Sequence, residues 1–368
     1  MSRFEFSLAG PADDAQLRAR MAADAMEGSI AVSFRREPSY FAGCGLQGNA
    51  TQVVKCVDAS TGRIVGLGSR STAPAFVDGR RVRIGYLSDL RLAPELRRGP
   101  LVARGYRMLR RLHAADPVPM YTTVIYEGNA PALAALVGGR AGLPRYVAWG
   151  RLLTPAIKLD FGVRQAGLAG VTLQRGSAAR LPEIVEFLNR ERSRKQFAPV
   201  VEAPQFGAGR LEGLTPEAFH LAVRGGRIVG TLAVWDQSGI RQTHVERYPL
   251  VLGLVRPLYN ALAALTPLKP LPPLGARIPY VYLACAATED DDVNLFRFLM
   301  RAVHESLRRG PWSFAIAALH EADPLAAVLS EFRSVPAAGR LFAVHYPEDP
   351  LAIDAAARRV PCVEAGCL

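Results

Sequence analysis

Two halves of this chain repeat the same series of short segments, and this repeat constrains the fold more than any other feature of the sequence. Three pairs of segments recur in the same order: TGRIVGLGS (61–69) and GGRIVGTLA (225–233), YLSDLRLAPE (86–95) and YLACAATEDD (282–291), EGNAPALAALV (127–137) and EADPLAAVL (321–329). Three matches in one order rarely arise by chance. The sequence therefore indicates a duplicated unit.

Each unit predicts the same order of elements: strand, helices, hairpin, strand, helix, strand and helix. An apolar run, a glycine turn and a second run predict the hairpin in each half. Helical patterns at 11–25 and 177–195 precede the two hairpins. The predicted fold class is α+β, with two tandem domains that each have a mixed, mostly antiparallel sheet flanked by helices.

The repeat also predicts where the domains begin and end. We expect an N-terminal domain over 1–155, a linker over 156–170, a C-terminal domain over 171–348 and a tail over 349–368. The second copy has more residues between its hairpin and its next strand than the first copy has. The excess forms a Leu/Pro-rich insert at 240–277.

The most apolar stretch of the chain, 248–275, lies within this insert. Arg256, Pro257 and Pro267 interrupt it well short of the roughly 20 apolar residues that a membrane span requires. We therefore expect no integral membrane segment. The stretch either lies on a membrane surface or is buried in the protein.

Charge and cysteine usage narrow the class of protein. Lys and Arg number 45 against 33 Asp and Glu, for a net charge of +12. Such an excess suggests an anionic partner, although an arginine-rich composition explains it equally well. The five cysteines show no CxxC or zinc-like spacing and the six histidines are scattered. These features predict a reduced, cytoplasmic protein with no metal site.

The segment 86–112 predicts a strand, an arginine-rich turn and a helix. Pro94 ends the strand, and Arg97, Arg98, Gly99 and Pro100 form the turn. The free N–H groups and positive dipole at a helix N-terminus suit a phosphate or pyrophosphate. The alternative is an ordinary amphipathic helix with a solvated arginine face.

In this context residues 4–153 resemble the GNAT (N-acetyltransferase) superfamily. That superfamily holds the pyrophosphate of acyl-CoA in a turn that matches Arg98-Gly99-Pro100-Leu101-Val102-Ala103, except that Leu101 stands where glycine is usual. Asn129 matches an asparagine that touches the pantetheine arm, whereas Leu136 replaces the usual tyrosine acid. The segments GYLSDLRLAPELRRG and GLPRY are also similar to those of a bacterial tandem-GNAT family.

The resemblance implies a set of site residues in the first half. The backbone of the strand near Leu90 would polarise the acyl carbonyl. The implied cofactor-binding residues are Leu90, Arg91, Leu92, Arg97, Arg98, Gly99, Pro100, Leu101, Val102, Ala103 and Asn129. The candidate catalytic residues are Asp89, Glu127 and Tyr126. Either carboxylate acts as a base or is paired with an arginine, and direct attack with a water relaying the proton is equally open.

The segment 26–43 falls where the superfamily forms its acceptor wall. Arg35, Glu37, Tyr40 and Phe41 mix charge and aromatic groups there, which makes them the candidate substrate-binding residues. The alternative is a loop that closes the domain core.

The second copy departs from the first at the anion turn, because residues 289–292 are Glu-Asp-Asp-Asp. Four acids would repel a pyrophosphate, at about 1 kcal/mol for each close like-charge pair. They suit the N-terminus of the next helix instead. We therefore expect one cofactor site in each chain, in the first half.

These observations favour an N-acyltransferase that uses acetyl-CoA or another acyl-CoA to modify a small-molecule or peptide amine. The alternative is a non-catalytic protein that keeps the tandem fold and binds CoA or a partner. A third interpretation, binding to nucleic acid or an anionic membrane, uses the arginine face and the insert. Because exposed aromatics are not interleaved with the arginines, we expect no nucleic-acid partner.

Overall fold

The computed structural model describes residues 2–28, 30–97, 99–138, 142–164, 167–349, 353 and 359–368. These residues form a nine-stranded sheet, a seven-stranded sheet and a two-stranded ribbon, with helices packed against the two large sheets. Most strand pairs are antiparallel. The predicted α+β class is confirmed.

The first half contains eight strands and four α-helices among its described residues. In chain order they are β1 (Phe4–Leu8), α1 (Asp14–Ala22), β2 (Ala31–Arg35), α2 (Tyr40–Gly45), β3 (Ala50–Asp58), β4 (Arg63–Val77), β5 (Arg80–Leu92), α3 (Leu101–Ala115), β6 (Tyr121–Tyr126), α4 (Ala130–Leu136), β7 (Arg145–Leu153) and β8 (Ala156–Lys158). The predicted hairpin is β3–β4, and the predicted strand, turn and helix are β5 and α3.

The second half contains ten strands and three α-helices among its described residues. They are β9 (Thr172–Arg175), α5 (Leu181–Arg192), β10 (Ala198–Pro199), β11 (Phe219–Arg224), β12 (Arg227–Trp235), β13 (Gln242–Arg247), α6 (Leu250–Ala263), β14 (Tyr280–Thr288), α7 (Val293–Arg308), β15 (Phe314–Ile316), β16 (Leu319–His320), β17 (Ser334–Val335) and β18 (Ala338–His345). The helical pattern predicted at 321–329 forms a 3-10 helix at Pro324–Glu331 instead.

The two large sheets exchange strands between the halves. The first sheet has the order β1-β3-β4-β5-β6-β18-β7-β16, with β10 paired to β4 as its ninth strand. A strand from the second half, β18, thus lies between β6 and β7. The second sheet has the order β17-β8-β15-β14-β12-β11-β9, so β8 from the first half lies between β17 and β15. The segment predicted as a linker thus begins with a strand of the second sheet. The domain boundaries stay a prediction.

Helices cover both faces of the second sheet. Val229 and Leu232 pack in the cluster that contains α7, on one face of the sheet, because the register of β12 shifts between Thr231 and Ala233. Leu221 and Ile228 pack in the cluster that contains α5. In the first sheet, α3 and α4 pack against β5, β6 and β18. Helices α3, α5 and α7 each bury one apolar face, as their sequence patterns predict.

The insert is attached to the first half through the two-stranded ribbon. β13 pairs antiparallel with β2, from Gln242 opposite Arg35 to Arg247 opposite Ala31. Helix α6 follows β13 directly. None of the helices in the described ranges is long and apolar enough to cross a membrane.

Because β18 belongs to the second half by chain position but pairs with β6 and β7 of the first sheet, weakening it is expected to destabilise both sheets together. Phe342 in β18 is buried, and truncation in F342A is expected to cost about 3–5 kcal/mol. Urea unfolding would be followed by fluorescence in two variants, one that keeps only Trp149 of the first sheet and one that keeps only Trp235 of the second. Trp149 and Trp235 should report the same loss in the free energy of unfolding.

The control for F342A is L173A, at an exposed position of the second sheet, which is expected to change stability by no more than about 0.5 kcal/mol. A loss seen by Trp149 alone would contradict the coupling.

Candidate functional site

Strands β5 and β6 are paired over a short distance and then part. They run parallel, with Gly85 opposite Tyr121 and Tyr86 opposite Thr122, and the described register ends there. The Thr123 hydroxyl still donates to the carbonyl of Leu87 at 2.8 Å. A side chain at position 85 would clash with the Tyr121 ring, at 2.0 Å from Cδ1, so glycine is required where the strands are closest. Beyond this point the two strands border a cleft.

A β-bulge in β5 lies beside this cleft. The register with β4 shifts between Leu67 and Ser69, so that Asp89 and Leu90 both face Gly68. Asp89 has a φ of 56°, in the left-handed region, and Leu90 is 42% exposed. A bulge removes backbone groups from the regular hydrogen-bond ladder and redirects them. The bulge lies where the sequence predicts a carbonyl-binding group near Leu90.

Asp89 is held in a buried ion pair. Its Oδ2 lies 2.5 Å from Nη2 of Arg36, and the Tyr40 hydroxyl donates to the same oxygen at 3.1 Å. The Arg36 guanidinium also stacks on the Tyr40 ring. Burial opposes the charge of Arg36, but the carboxylate of Asp89 holds the guanidinium pKa above its usual value. The arginine pairing considered from the sequence is present, and the partner is Arg36 of the predicted acceptor segment.

Glu127 and Tyr126 lie at the end of β6, on the opposite side of the cleft. Glu127 makes a bidentate ion pair with Arg151, through contacts of 2.7 and 3.0 Å. The hydrogen bond from Arg151 lowers the pKa of Glu127 below its usual range, which weakens this carboxylate as a proton acceptor. Tyr126 is exposed. The catalytic roles of Asp89, Glu127 and Tyr126 stay predictions.

The predicted anion turn follows β5 and leads into α3. The first backbone bond of the helix runs from the N–H of Arg104 to the carbonyl of Pro100, at 3.1 Å. The N–H groups of the first helical residues, Leu101 to Ala103, precede that bond and have no partner in their own helix. The Leu101 side chain is buried in the protein. The helix start is therefore suited to an anion even though Leu101 replaces a glycine.

Two predicted cofactor residues in this region have protein partners, and one lies outside the described ranges. Arg97 pairs with Asp24 at 3.0 Å, and Arg91 donates to the carbonyl of Leu90. Arg98 is not among the described residues. Asn129 caps α4, where its Oδ1 accepts from the N–H of Ala132 at 3.2 Å.

The predicted acceptor segment is more ordered than a loop, since residues 31–35 form β2 and α2 begins at Tyr40. Arg35 pairs with Glu246 of the insert, and the backbone of Glu37 bonds to the Gln242 side chain. Tyr40 is fully buried and Phe41 packs edge-on against its ring. The structure thus brings Arg35 and Glu37 against the insert and places Tyr40 in the core.

A cavity of about 50 Å³ lies next to the point where β5 and β6 part. Tyr86 and Thr122 line it from the strands, and Gln47, Arg210 and Glu364 line it from elsewhere in the chain. The Gln47 Nε2 and Arg210 Nε atoms are buried without a hydrogen-bond partner. Burial raises the pKa of the Tyr86 hydroxyl, so this phenol stays neutral at physiological pH. These lining residues carry no sequence motif and were not predicted.

The second half has the same bulge, filled by its own side chains. Cys285 has a φ of 52° and follows Tyr282 by three residues, just as Asp89 follows Tyr86. The buried Glu364 accepts from the backbone N–H of Cys285 at 2.9 Å. The N–H of Cys285, which corresponds to that of Asp89 in the first half, is therefore already hydrogen-bonded.

The acidic turn of the second half is likewise neutralised from within. Lys195 lies 2.8 Å from Asp291, and Arg194 lies 2.5 Å from Asp290. Asp292 caps α7, as predicted, by accepting from the N–H groups of Asn294 and Leu295. Lys195 and Arg194 already pair with the carboxylates of this turn, so an anion would face the acids without a cation of its own.

The described part of the chain gives little support for a metal site or for a cysteine nucleophile. There, no group of His, Cys, Asp and Glu is arranged to hold a metal ion. Burial raises the pKa of the Cys44 thiol to about 11, which disfavours the reactive thiolate.

Comparison with known proteins identifies the fold. No family model and no curated protein sequence matches the chain. A GCN5-related N-acetyltransferase from Sphaerobacter thermophilus is similar in structure, with a TM-score of 0.55 and 13% identity over 93% of this chain and 96% of that one. N-myristoyltransferase from Saccharomyces cerevisiae, solved with myristoyl-CoA, gives a TM-score of 0.62 and 12% identity over 95% and 80% of the two chains.

A third structure is similar over nearly the same part of this chain. A GCN5-related N-acetyltransferase from Anabaena variabilis gives a TM-score of 0.51 and 12% identity over 93% of this chain and 72% of its own. At such low identity the likeness establishes the fold alone, and at that level it confirms the resemblance seen in the first half. The chain has the fold of the GCN5-related N-acetyltransferases.

Proposed function

We propose that the protein is an N-acyltransferase that takes its acyl group from acyl-CoA at one site in the first half. One observation carries the proposal: the parted strands, the bulge at Asp89 and the start of α3 all lie along β5 and directly after it. On this proposal, one continuous segment would supply both a hydrogen-bond donor for a carbonyl and a donor set for a pyrophosphate. In the second half Glu364 bonds to the N–H of Cys285, the counterpart of Asp89, and Lys195 pairs with Asp291 of the turn.

The residues of the first half fit such a ligand. The helix start from Leu101 to Ala103 would hold the pyrophosphate with Arg98, and Asn129 would contact the pantetheine arm. Acyl-CoA supplies an activated thioester carbonyl when bound. The backbone at Leu90 would donate to the carbonyl oxygen and stabilise the negative charge that develops there. The amine nitrogen then forms a bond to the carbonyl carbon, and the carbon–sulfur bond breaks.

Two protons must move in this reaction, one from the attacking amine and one to the leaving thiolate. Both candidate carboxylates are held by arginines, and the lowered pKa of Glu127 makes it a weak base. We therefore propose that a water at the cleft takes the proton from the amine, with Asp89, Glu127 or Tyr126 as its acceptor. The thiolate takes its proton from the same water network, since Leu136 stands where the superfamily has a tyrosine.

The identities of the acyl donor and of the acceptor are proposed separately. We propose acetyl-CoA, because two of the similar structures are described as N-acetyltransferases, while the myristoyl-CoA complex keeps a longer chain open. The acceptor would be an amine, on a small molecule or a peptide, that enters between the β2–β13 ribbon and the cleft.

A second candidate function is CoA binding without catalysis. The same two ion pairs favour it, because Asp89 and Glu127 are both engaged by arginines and Leu136 cannot act as an acid. Both functions predict binding of acetyl-CoA. Only the acyltransferase function predicts turnover with an amine acceptor.

The cofactor site is testable by calorimetry with acetyl-CoA. We expect one binding site per chain, and R98E should weaken binding by about tenfold or more, because a carboxylate would replace a cationic donor to the pyrophosphate. The control is R107E, which makes the same charge change at an exposed position of α3. No binding by the wild-type protein would refute both candidate functions, and equal weakening by R107E would indicate a non-specific charge effect.

The role of Glu127 is testable from the pH dependence of kcat/KM, measured as CoA release with the best acceptor of an amine panel. In R151M the Glu127 carboxylate loses the hydrogen bond that lowers its pKa, so its pKa should rise. If Glu127 accepts the proton, activity in R151M should then fall off at a higher pH on the acid side, by up to about one pH unit.

R145M, which changes an exposed arginine on the same strand, serves as the control and should keep the wild-type profile. An unchanged acid limb in R151M would remove Glu127 as the base. Absence of CoA release with every amine, together with intact acetyl-CoA binding, would favour the non-catalytic alternative.

A further inference from the structure

Helix α6 turns its most apolar face to the solvent. Leu250, Val251, Leu254, Leu258, Leu262 and the following Leu265 are between 51% and 86% exposed. The helical positions among them, separated by one, three or four residues, lie on one side of α6. Single exposed leucines are common, but a continuous apolar face of this size marks an interaction surface. We call these six residues the α6 face.

The opposite side of α6 carries the polar residues and is fixed to the protein. The Asn260 side chain donates to the carbonyl of Leu271 at 3.0 Å and accepts from its N–H at 2.8 Å. Arg256 lies over the Tyr248 ring, whose hydroxyl donates to the carbonyl of Pro272. A surface helix normally shows the reverse orientation. The anchoring of α6 therefore holds the α6 face outwards.

The segment around this face is positively charged. Between residues 248 and 288 the sequence has Arg256, Lys269 and Arg277 and no acidic residue, while Glu27 balances the charge of Arg247. The nearest acids on the adjoining ribbon and loop are engaged, since Glu246 pairs with Arg35 and Glu27 pairs with Arg247. The charge of the segment complements an anionic surface.

The composition of the α6 face favours lipid over protein as its partner. The face has only aliphatic side chains, whereas protein interfaces are enriched in aromatic residues, Met and Arg and include directional hydrogen bonds. A second copy of the chain would bring two positive segments together without a carboxylate from either. Aliphatic side chains flanked by basic ones are typical of helices that lie in the surface of a bilayer.

We propose that the α6 face docks on the surface of an anionic lipid bilayer, with α6 lying in the plane of the membrane. α6 has 14 residues, so it would insert its apolar face without spanning the bilayer. Through the β2–β13 ribbon, docking would place the segment carrying Arg35 and Glu37 near the membrane. This proposal does not depend on the acyltransferase reaction.

The test is flotation of the full-length protein with vesicles. We expect binding to equimolar phosphatidylglycerol and phosphatidylcholine, and weaker binding to phosphatidylcholine alone. L254E/L258E should reduce partition into the anionic vesicles by about tenfold or more, because it places two charges in the acyl layer. Both leucines are exposed, so the melting temperature should stay close to that of the wild-type protein.

The matched control is A15E/A19E, which adds the same two charges on the exposed side of α1 and should keep most of the binding. No binding of the wild-type protein to the anionic vesicles would overturn the proposal. Equal loss in A15E/A19E would overturn the role of α6. A lipid-free dimer, measured by sedimentation, that L254E/L258E dissociates would assign the face to a second copy instead.

Discussion

The cleft in the first half depends on backbone hydrogen bonds made by a strand of the second half. β6 pairs with β5 over only two residues on one side, yet on its other side every residue from Tyr121 to Tyr126 is in register with β18. A strand in the middle of a sheet must satisfy its N–H and C=O groups on both edges or face water. Because β18 supplies one complete edge, β6 needs only the short pairing with β5 on its other edge.

The two halves have the same backbone bulge and turn, but different side chains surround these features in each half. Both have a bulge with a non-glycine residue in the left-handed region, and both have a turn before a helix. In the first copy the bulge carries Asp89 and its charge is balanced by Arg36, so the exposed neighbour remains accessible. In the second copy Glu364 fills the bulge, while Lys195 and Arg194 neutralise the turn. The same backbone bulge thus carries a paired carboxylate in the first half and is bonded by the side chain of Glu364 in the second.

Local patterns predicted the elements that depend on local chemistry. The hairpins, the strand ending before Pro94 and the Asp292 cap follow from turn residues, apolar periodicity and capping preference, all of which act over a few residues. The exchange of β8 and β18 depends on pairing across long stretches of chain, and a strand as short as β8 has no periodicity to reveal it. The Asp89–Arg36 pair was missed for the same reason. The insert was correctly recognised as apolar, but its orientation depends on Asn260 and Tyr248 bonding to a distant return segment.

The exchanged strand also affects how the chain folds as it is synthesised. The edges of β6 and β7 that β18 covers are both complete by residue 153, but β18 ends at His345. At about 5–20 residues per second, the ribosome leaves these edges open for roughly 10–40 seconds. Open strand edges readily pair with other chains. The first half is thus exposed to misassembly during synthesis, and its final structure forms only after β18 has been made.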